Sequence, residues 1–376
     1  MTAKISRYLN DRRPDTPLLV VDLDVVAQNY RSLRRYLPIA EVFYAVKANP
    51  AQEILTLLAG MGSSFDTASR QEIESVLAAG APVERVSFGN TIKKQRDIAW
   101  AFEKGVRLFA FDSEAELRKL AESAPGSKVF CRLLMTCEGA DWPLSRKFGC
   151  EADMARDLLV MARNLGLEPH GISFHVGSQQ TQLEQWDVAV GKTAMLFTAL
   201  NEAGIELKMV NIGGGLPAKY KSDVAGVDAY SNAIMSAMTK HFGNNLPKMI
   251  IEPGRSMVGD AGVIEAEVVL ISKKSKDEDV RWVYLDIGKF GGLIETMDES
   301  IKYRIQTPGA TGPTAPVILA GPTCDSADIL YEKYKYRLPL SLKVGDKVRI
   351  HATGAYTTSY SAVNFNGFPP LEAVYI

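Results

Sequence analysis

Eight short apolar runs, spaced by segments of helical periodicity, constrain this chain more than any other feature. They are Val42–Val46, Ser64–Phe65, Val86–Phe88, Leu108–Phe111, Val129–Leu134, Ile172–Phe174, Met209–Ile212 and Met249–Ile251. Each has the length and side-chain type of a buried strand. Most of the intervening stretches carry helix punctuation. Ser69 with Glu72, and Ser113 with Glu116, form capping-box patterns, and Gly80 closes the first of these helices. Eight buried strands alternating with helices predict an α/β fold, a TIM-like (β/α)8 barrel over residues 24–260. A short strand, Thr16–Asp22, and a helix from Asp24 to Leu37 precede the rhythm.

From Ala261 the texture changes. Short β-rich pieces follow at Val263–Leu270, Trp282–Leu285, Val317–Leu319 and Lys347–His351, with Gly and Pro between them. Val344–Val348 (VGDKV) reads as a hairpin-like turn. The reading is an all-β C-terminal domain over 261–376, joined by the N-terminal strand within 1–23. At 376 residues, 46% hydrophobic and 23% charged, the chain is long enough for two domains of ordinary globular composition.

Other classes lose ground on composition. A net charge of −1 gives no argument for nucleic acid or a membrane surface. No apolar run is long enough to span a bilayer, and the N-terminal MTAKISRYLNDRRPD lacks the apolar core of a signal peptide. Cys131, Cys137, Cys150 and Cys324 show no C-x-x-C spacing, and the four histidines are scattered, so no zinc site is expected. The expectation is a cytoplasmic enzyme in a reducing compartment.

The chemistry gathers where the runs end. In such barrels the active site is built at the C-terminal ends of the strands. The runs lead into Lys47, Asp66, Asn90, Asp112, His175, Gly213–Gly215 and Glu252, with Arg132 inside the fifth. In Phe43–Pro50 (FYAVKANP) a buried strand ends in Lys47. Asn49 then reads as the cap, and Pro50 as the first residue, of a helix that Gly60 ends. A lysine leaving an apolar strand there is expected to be desolvated, which exposes a nucleophilic amine of the kind that forms Schiff bases. The bland alternative is a lysine that snorkels to solvent. Asp112 and Asn90 read as a helix cap and a loop turn.

Asn211–Pro217 (NIGGGLP) runs a strand into three glycines, which let backbone amides approach an anion. Ile251–Ser256 (IEPGRS) ends a strand with Glu252 and presents Arg255, a phosphate partner. Ser173–Ser178 (SFHVGS) places His175 at a strand end with Ser178 just beyond. A strand-end lysine, a phosphate cradle and a carboxylate for a ring nitrogen together describe a site for pyridoxal 5'-phosphate.

These motifs resemble the alanine-racemase-fold (fold type III) basic amino acid decarboxylases, with the ornithine decarboxylases as the nearest branch. The resemblance rests on FYAVKANP, FDTAS (Phe65–Ser69), SFHVGSQ, NIGGG, EPGRS, GPTCDSADIL (Gly321–Leu330), GAYT (Gly354–Thr357) and FNGF (Phe365–Phe368), in order over nearly the whole chain. It implies Lys47 as the Schiff-base lysine, His175 stacked on the cofactor ring and Glu252 on the pyridine nitrogen. It also implies Ser178, Gly213, Gly214, Gly215, Arg255 and Tyr356 around the phosphate, with Asp66 and Arg132 near the cofactor. Cys324 matches the residue that assists protonation of the decarboxylated substrate. Asp298 and Asp325 match the carboxylates that receive the distal ammonium, and Phe365 in FNGF falls among the substrate-binding positions. The implied reaction is L-ornithine to putrescine and CO2, in polyamine biosynthesis. A dual lysine/ornithine decarboxylase is the alternative, and a diaminopimelate decarboxylase is disfavoured by Asp325. The resemblance further implies a homodimer with sites shared across its interface. A racemase on the same barrel would carry arginine where Glu252 stands, and a catalytically dead relative would lack Lys47, Cys324 or Asp325.

Overall fold

The computed structural model describes residues 1–142 and 147–376. The chain divides into two compact units. One comprises Ala27–Pro217 and Val224–Ser256; the other comprises Met1–Val26, Ala218–Asp223 and Met257–Ile376. In chain order the elements begin with α1 (Ala3–Arg12), β1 (Leu18–Val21) and α2 (Leu23–Tyr36).

The first unit is a closed barrel of eight parallel strands. These are β2 (Ala40–Ala45), β3 (Ser64–Thr67), β4 (Val86–Phe88), β5 (Leu108–Phe111), β6 (Lys128–Arg132), β8 (Glu168–Ser173), β10 (Met209–Asn211) and β11 (Lys248–Ile251). They pair in chain order, and β11 closes the ring on β2 through Ile250↔Glu41. Two short strands, β7 (Ala140–Trp142) and β9 (Ser178–Gln180), pair antiparallel with each other. All eight expected strands are present. Arg132 ends its strand instead of lying within it; Leu133 beyond it still donates to Ser173 O of β8 at 2.7 Å and forms an isolated bridge with Cys150.

The helices α3 (Gln52–Gly60), α4 (Arg70–Ala78), α5 (Gln95–Glu103), α6 (Glu114–Ser123), α7 (Ala152–Asn164), α8 (Glu184–Glu202) and α9 (Val227–Phe242) follow the strands. Ser69 Oγ accepts from Glu72 N–H and Ser113 Oγ from Glu116 N–H, so both expected N-caps form. The helix after Lys47 starts later than the Asn49–Pro50 reading. Residues 46–48 form a 3-10 turn, Asn49 Oδ1 instead accepts from Ala51 N–H at 3.2 Å, and α3 begins at Gln52. Nor does Asp112 cap α6; its carboxylate accepts from Gly149 N–H at 2.7 Å. Asn90 does turn its loop, with Oδ1 accepting from Ile92 N–H.

An apolar layer sits beneath the site. Phe43, Ala110, Phe130, Met209 and Ile250 form one buried cluster, each from a different strand. Side chains two residues apart on a strand share a face. Arg132, Asn211 and Glu252 each follow a member of this layer by two residues. They therefore stand on the same inner face, nearer the C-terminal end of the barrel.

In the second unit, α10 (Arg255–Val258) carries the chain into a mixed sheet from its last two residues onward. Its strands are β1, β12 (Gly262–Ser272), β13 (Arg281–Leu285), β14 (Ile305–Gln306), β15 (Thr314–Ala320), β16 (Ile329–Pro339), β17 (Lys347–His351) and β18 (Glu372–Tyr375). The order is β14-β17-β12-β13-β15-β16, with β1 antiparallel to β12 and parallel to β18. Ile5 and Leu9 of α1 pack with Leu18, Val20 and Val263. A buried pair, Arg349 Nε to Glu265 Oε1 at 2.8 Å, ties β17 to β12, and Arg349 also donates to Asn10 of α1. The VGDKV segment turns at Gly345 but makes no hairpin. Gly345 N–H donates to Val268 O, so the turn docks on β12, and β17 pairs with β12 and β14. Among the described residues no helix is long and apolar enough to cross a membrane.

Candidate active site

Lys47 sits in the 3-10 turn directly after β2, held from both sides. Ala45 N–H donates to Pro253 O, and the buried Tyr44 hydroxyl donates to Asn49 O. The Lys47 side chain reaches the open mouth of the barrel and is 48% exposed in the single chain. It leans toward Asp66, with Nζ 3.9 Å from Oδ2. Asp66 is buried on β3, and Ser87 Oγ donates to its Oδ1 at 3.3 Å. Burial pushes its carboxyl well above the usual range, the nearby Glu252 charge adds to this, and Lys47 pulls the other way.

Arg132 ends β6 facing these carboxylates. Burial lowers its pKa, against the opposing pull of Glu252, Asp112 and Asp66. His175 follows β8. Its Nδ1 accepts from Gly177 N–H at 2.9 Å, which leaves the ring proton on Nε2. Burial holds the imidazole well below 6.5, and the positive charges of Arg132 and Lys47 add to the effect, so His175 is neutral near pH 7. Cys137 Sγ donates to His175 O at 3.3 Å and fixes the backbone beneath the ring.

Glycines bring backbone close to this cluster. A Cβ at Gly213 would stand 2.2 Å from Phe174 O, one at Gly214 2.6 Å from Glu252 O, and one at Gly215 2.8 Å from Gly177 O. Gly213 and Gly215 also have φ of 66° and 100°, the left-handed region that side chains disfavour. Arg255 is buried, and its Nε and Nη2 donate to Ser178 Oγ at 3.2 and 3.0 Å. A buried guanidinium, a hydroxyl and a glycine turn with no room for a Cβ are the donors a phosphate ester takes. A primary amine at Lys47 and a carboxylate at Glu252 suit a carbonyl and a basic ring nitrogen. The set fits pyridoxal phosphate.

Thus the barrel brings together Lys47, Asp66, Arg132, His175, Ser178, Gly213–Gly215, Glu252 and Arg255. The remaining candidates belong to the other unit. There, Cys324 and Asp325 are exposed on one loop, and Cys324 N–H donates to Asn366 Oδ1 at 2.8 Å. That bond places them beside the turn bearing Phe365, whose ring meets Phe290 at 4.9 Å. Asp298 is exposed with φ of 51°. Tyr356 has φ of 56° and packs its ring near Tyr360, centroids 5.8 Å apart.

Two residues carry more than the sequence reading gave them. Asn211 is buried; its Nδ2 donates to Glu252 Oε1, and its Oδ1 accepts from Gly213 N–H at 2.9 Å. Asp328, also buried, accepts from Lys289 N–H at 2.7 Å and from both the N–H and the hydroxyl of Thr323. Both lie inside quoted motifs. Each ties a near neighbour in its motif to one distant in sequence, Asn211 to Glu252 and Asp328 to Lys289, and the distant partner is not visible in the motif.

A parallel barrel with an amine, paired carboxylates and an anion cradle at its strand ends defines a pyridoxal-phosphate enzyme of the TIM-barrel class. Residues 23–259 match the pyridoxal-binding domain of the pyridoxal-dependent decarboxylases. The lysine/ornithine decarboxylase of Selenomonas ruminantium is 38% identical over 359 residues, 95% of this chain and 88% of that one. The ornithine decarboxylase of Mus musculus is 32% identical over 374 residues, 95% of this chain and 80% of that one. A crystal structure of lysine/ornithine decarboxylase from Vibrio vulnificus, complexed with cadaverine, superposes with a TM-score of 0.89 at 30% identity, covering 100% of this chain and 99% of that one. The chain belongs to the fold type III, pyridoxal-phosphate-dependent family of basic amino acid decarboxylases.

Proposed function

We propose that this enzyme converts L-ornithine to putrescine and CO2, with lysine to cadaverine as its second reaction. The bond between Cα and the carboxylate breaks, CO2 leaves, and the electron pair left on Cα takes up one proton. Bound pyridoxal phosphate supplies the electron sink that accepts that pair. Lys47 offers the amine that holds the cofactor carbonyl and exchanges with the substrate amine. Asp66, 3.9 Å away, takes or returns a proton at Lys47 Nζ. Neutral His175 supplies a flat face without adding positive charge. Glu252 holds a proton at the ring nitrogen, while Ser178, the three glycines, Arg255 and Tyr356 hold the phosphate, with Arg132 near the ring.

The observation that carries this reading is the convergence of Lys47, Asp66, Arg132 and Glu252 on one inner face of the barrel mouth. For the substrate, Asp298 and Asp325 are carboxylates suited to a distal ammonium, each worth about 1.5–3 kcal/mol as a charge-assisted contact. Phe365 offers an apolar wall to the methylene chain. Cys324 delivers the proton to Cα. Cys324, Asp325 and Phe365 are proposed to come from a second copy of the chain in a C2 dimer.

The lysine reaction is retained because relatives from Selenomonas ruminantium and Vibrio vulnificus are named for both substrates. The test is CO2 release by purified, cofactor-loaded protein from ornithine, lysine, arginine and diaminopimelate. Ornithine is expected to give the highest kcat/KM, with lysine next. A higher kcat/KM for arginine or diaminopimelate would overturn the assignment.

A further inference from the structure

Glu252 does not stand alone at the end of β11. Asn211 Nδ2 donates to its Oε1, and Asn211 Oδ1 accepts from Gly213 N–H. Gly213 O in turn accepts from Glu252 N–H at 2.8 Å. These contacts close a ring: carboxamide to carboxylate, Glu252 backbone to Gly213 carbonyl, Gly213 amide back to the carboxamide. The ring spans the ends of β10 and β11, and Asn211 is 1% exposed at its centre. We propose that Asn211 is a positioning residue, whose carboxamide locks the Glu252 carboxylate to the glycine turn and leaves its second oxygen for the ring nitrogen.

The chemistry of the position is selective. It needs a donor toward a carboxylate and, on the same planar group, an acceptor toward an N–H. A carboxamide has both, whereas an ionised carboxylate has only acceptors. A protonated carboxylic acid again has both, with O–H toward Glu252 and C=O toward Gly213. An aspartate at 211 would therefore do the work of asparagine only while it holds a proton shared with Glu252. The charged groups that act on this carboxylate are Asp66 on β3 and Arg132 on β6; Lys47 after β2 faces Asp66, and the neutral His175 after β8 lies beside Lys47 and Arg132.

This inference rests on the reading that Glu252 serves the cofactor ring. Asn211→Asp, Asn211→Ala and Glu252→Gln are compared as cofactor-loaded dimers. The readouts are kcat and KM for ornithine from pH 6 to 9, the absorption spectrum of the bound cofactor, and melting of the apoprotein. Asn211→Ala is expected to lose about 10- to 100-fold in kcat at every pH with KM little changed, as for groups that orient a functional ligand. Asn211→Asp is expected to approach wild-type kcat at the acid end and fall toward the alanine variant as pH rises, with a parallel change in the cofactor spectrum. Wild type is expected to lack this limb.

Equal kcat for wild type and Asn211→Ala would overturn the inference. So would an aspartate variant that follows the alanine variant at every pH, or one that holds wild-type kcat throughout. If Asn211→Ala fails to fold, the aspartate pH profile decides by itself. If Glu252→Gln keeps full kcat, the reading of Glu252 fails and takes this inference with it. An impaired Glu252→Gln beside a normal Asn211→Ala sinks the positioning role alone.

Discussion

Gly89 makes the room that Asp66 occupies: a Cβ on Gly89 would stand 1.9 Å from Asp66 Oδ1. Both lie at the C-terminal ends of neighbouring strands, β3 and β4. The small residue on one strand thus sets where the acid on the other points, and so its distance to Lys47. Gly89→Ala is expected to rotate the carboxylate away and to slow both cofactor capture and turnover by about a hundredfold, the lower end of the scale for a lost proton-transfer group. The check is the rate of reconstitution of apoprotein with pyridoxal phosphate, followed by kcat. Normal reconstitution and kcat in a folded variant would separate Asp66 from Lys47 chemistry.

The surroundings of Asp66 have a second consequence. A carboxyl whose folded pKa lies above its unfolded value binds more protons folded than unfolded, so its contribution to stability falls as pH rises. The fall starts near the ordinary value of 3.8 and continues up to the raised folded value. Asp66→Asn apoprotein is therefore expected to melt higher than wild type at pH 7, with the gap closing as pH is lowered toward 4. Thermal scans over that range decide it; a gap that widens on acidification has the wrong sign.

Lys93 carries the opposite kind of strain. Its ammonium is fully buried between Glu116 Oε1 at 3.0 Å, Asn90 O at 2.7 Å and Ala110 O at 2.6 Å. Burial lowers its pKa from 10.5 to about 8, against the pull of Glu116. Here the unfolded chain binds more protons between those two values, so this site gains stability as pH climbs from 8 to 10.5. The gap corresponds to about 3 kcal/mol. Measured by denaturant unfolding, wild type should gain on Lys93→Met across that window, and parallel pH profiles would refute it.

Asp328 offers a mechanical test of the loop that bears Cys324. Its carboxylate holds Lys289 N–H and two donors of Thr323, and glycines at 288 and 321 leave it space, since a Cβ at either would come within 2.3 Å. Asp328→Ala should destabilise the protein by roughly 3 kcal/mol, because three donors lose their acceptor. Cys324 should then alkylate at a changed rate while Lys47 still captures the cofactor. Wild-type stability would show that the donors find other partners.

How much of this was legible beforehand follows from the range of each interaction. The eight barrel strands were readable because burial writes itself into contiguous apolar runs, and the caps at Ser69 and Ser113 because a capping box is local. The shift of the α3 start was not, since it turns on whether Asn49 bonds to Ala51 or to a helix amide, and both satisfy the same sequence. For Lys47 the apolar run shows that it leaves a strand end, but not the 3-10 turn over residues 46–48 that carries it. VGDKV resembled a hairpin because turn chemistry does not say which strands the turn joins. Asn211 and Gly89 escaped for a related reason. Each depends on a residue at the end of the neighbouring strand, Glu252 for Asn211 and Asp66 for Gly89, and register is a tertiary property.

The last prediction concerns assembly. Lys47 is on the barrel, while Cys324 and Asp325 are on the β unit, and the proposal takes them from opposite copies in each site. An isologous C2 pair then has two identical composite sites. Lys47→Ala and Cys324→Ala homodimers are each expected to be inactive. Mixed under conditions that let subunits exchange, they form hybrids in which one site collects both defects and the other has neither. Equal mixing makes about half the dimers hybrid, each with one intact site, so roughly a quarter of wild-type activity should return. Exchange is followed independently with subunits of different mass. If hybrids form and no activity returns, each site is built within one chain, and Cys324 must act on the lysine of its own barrel.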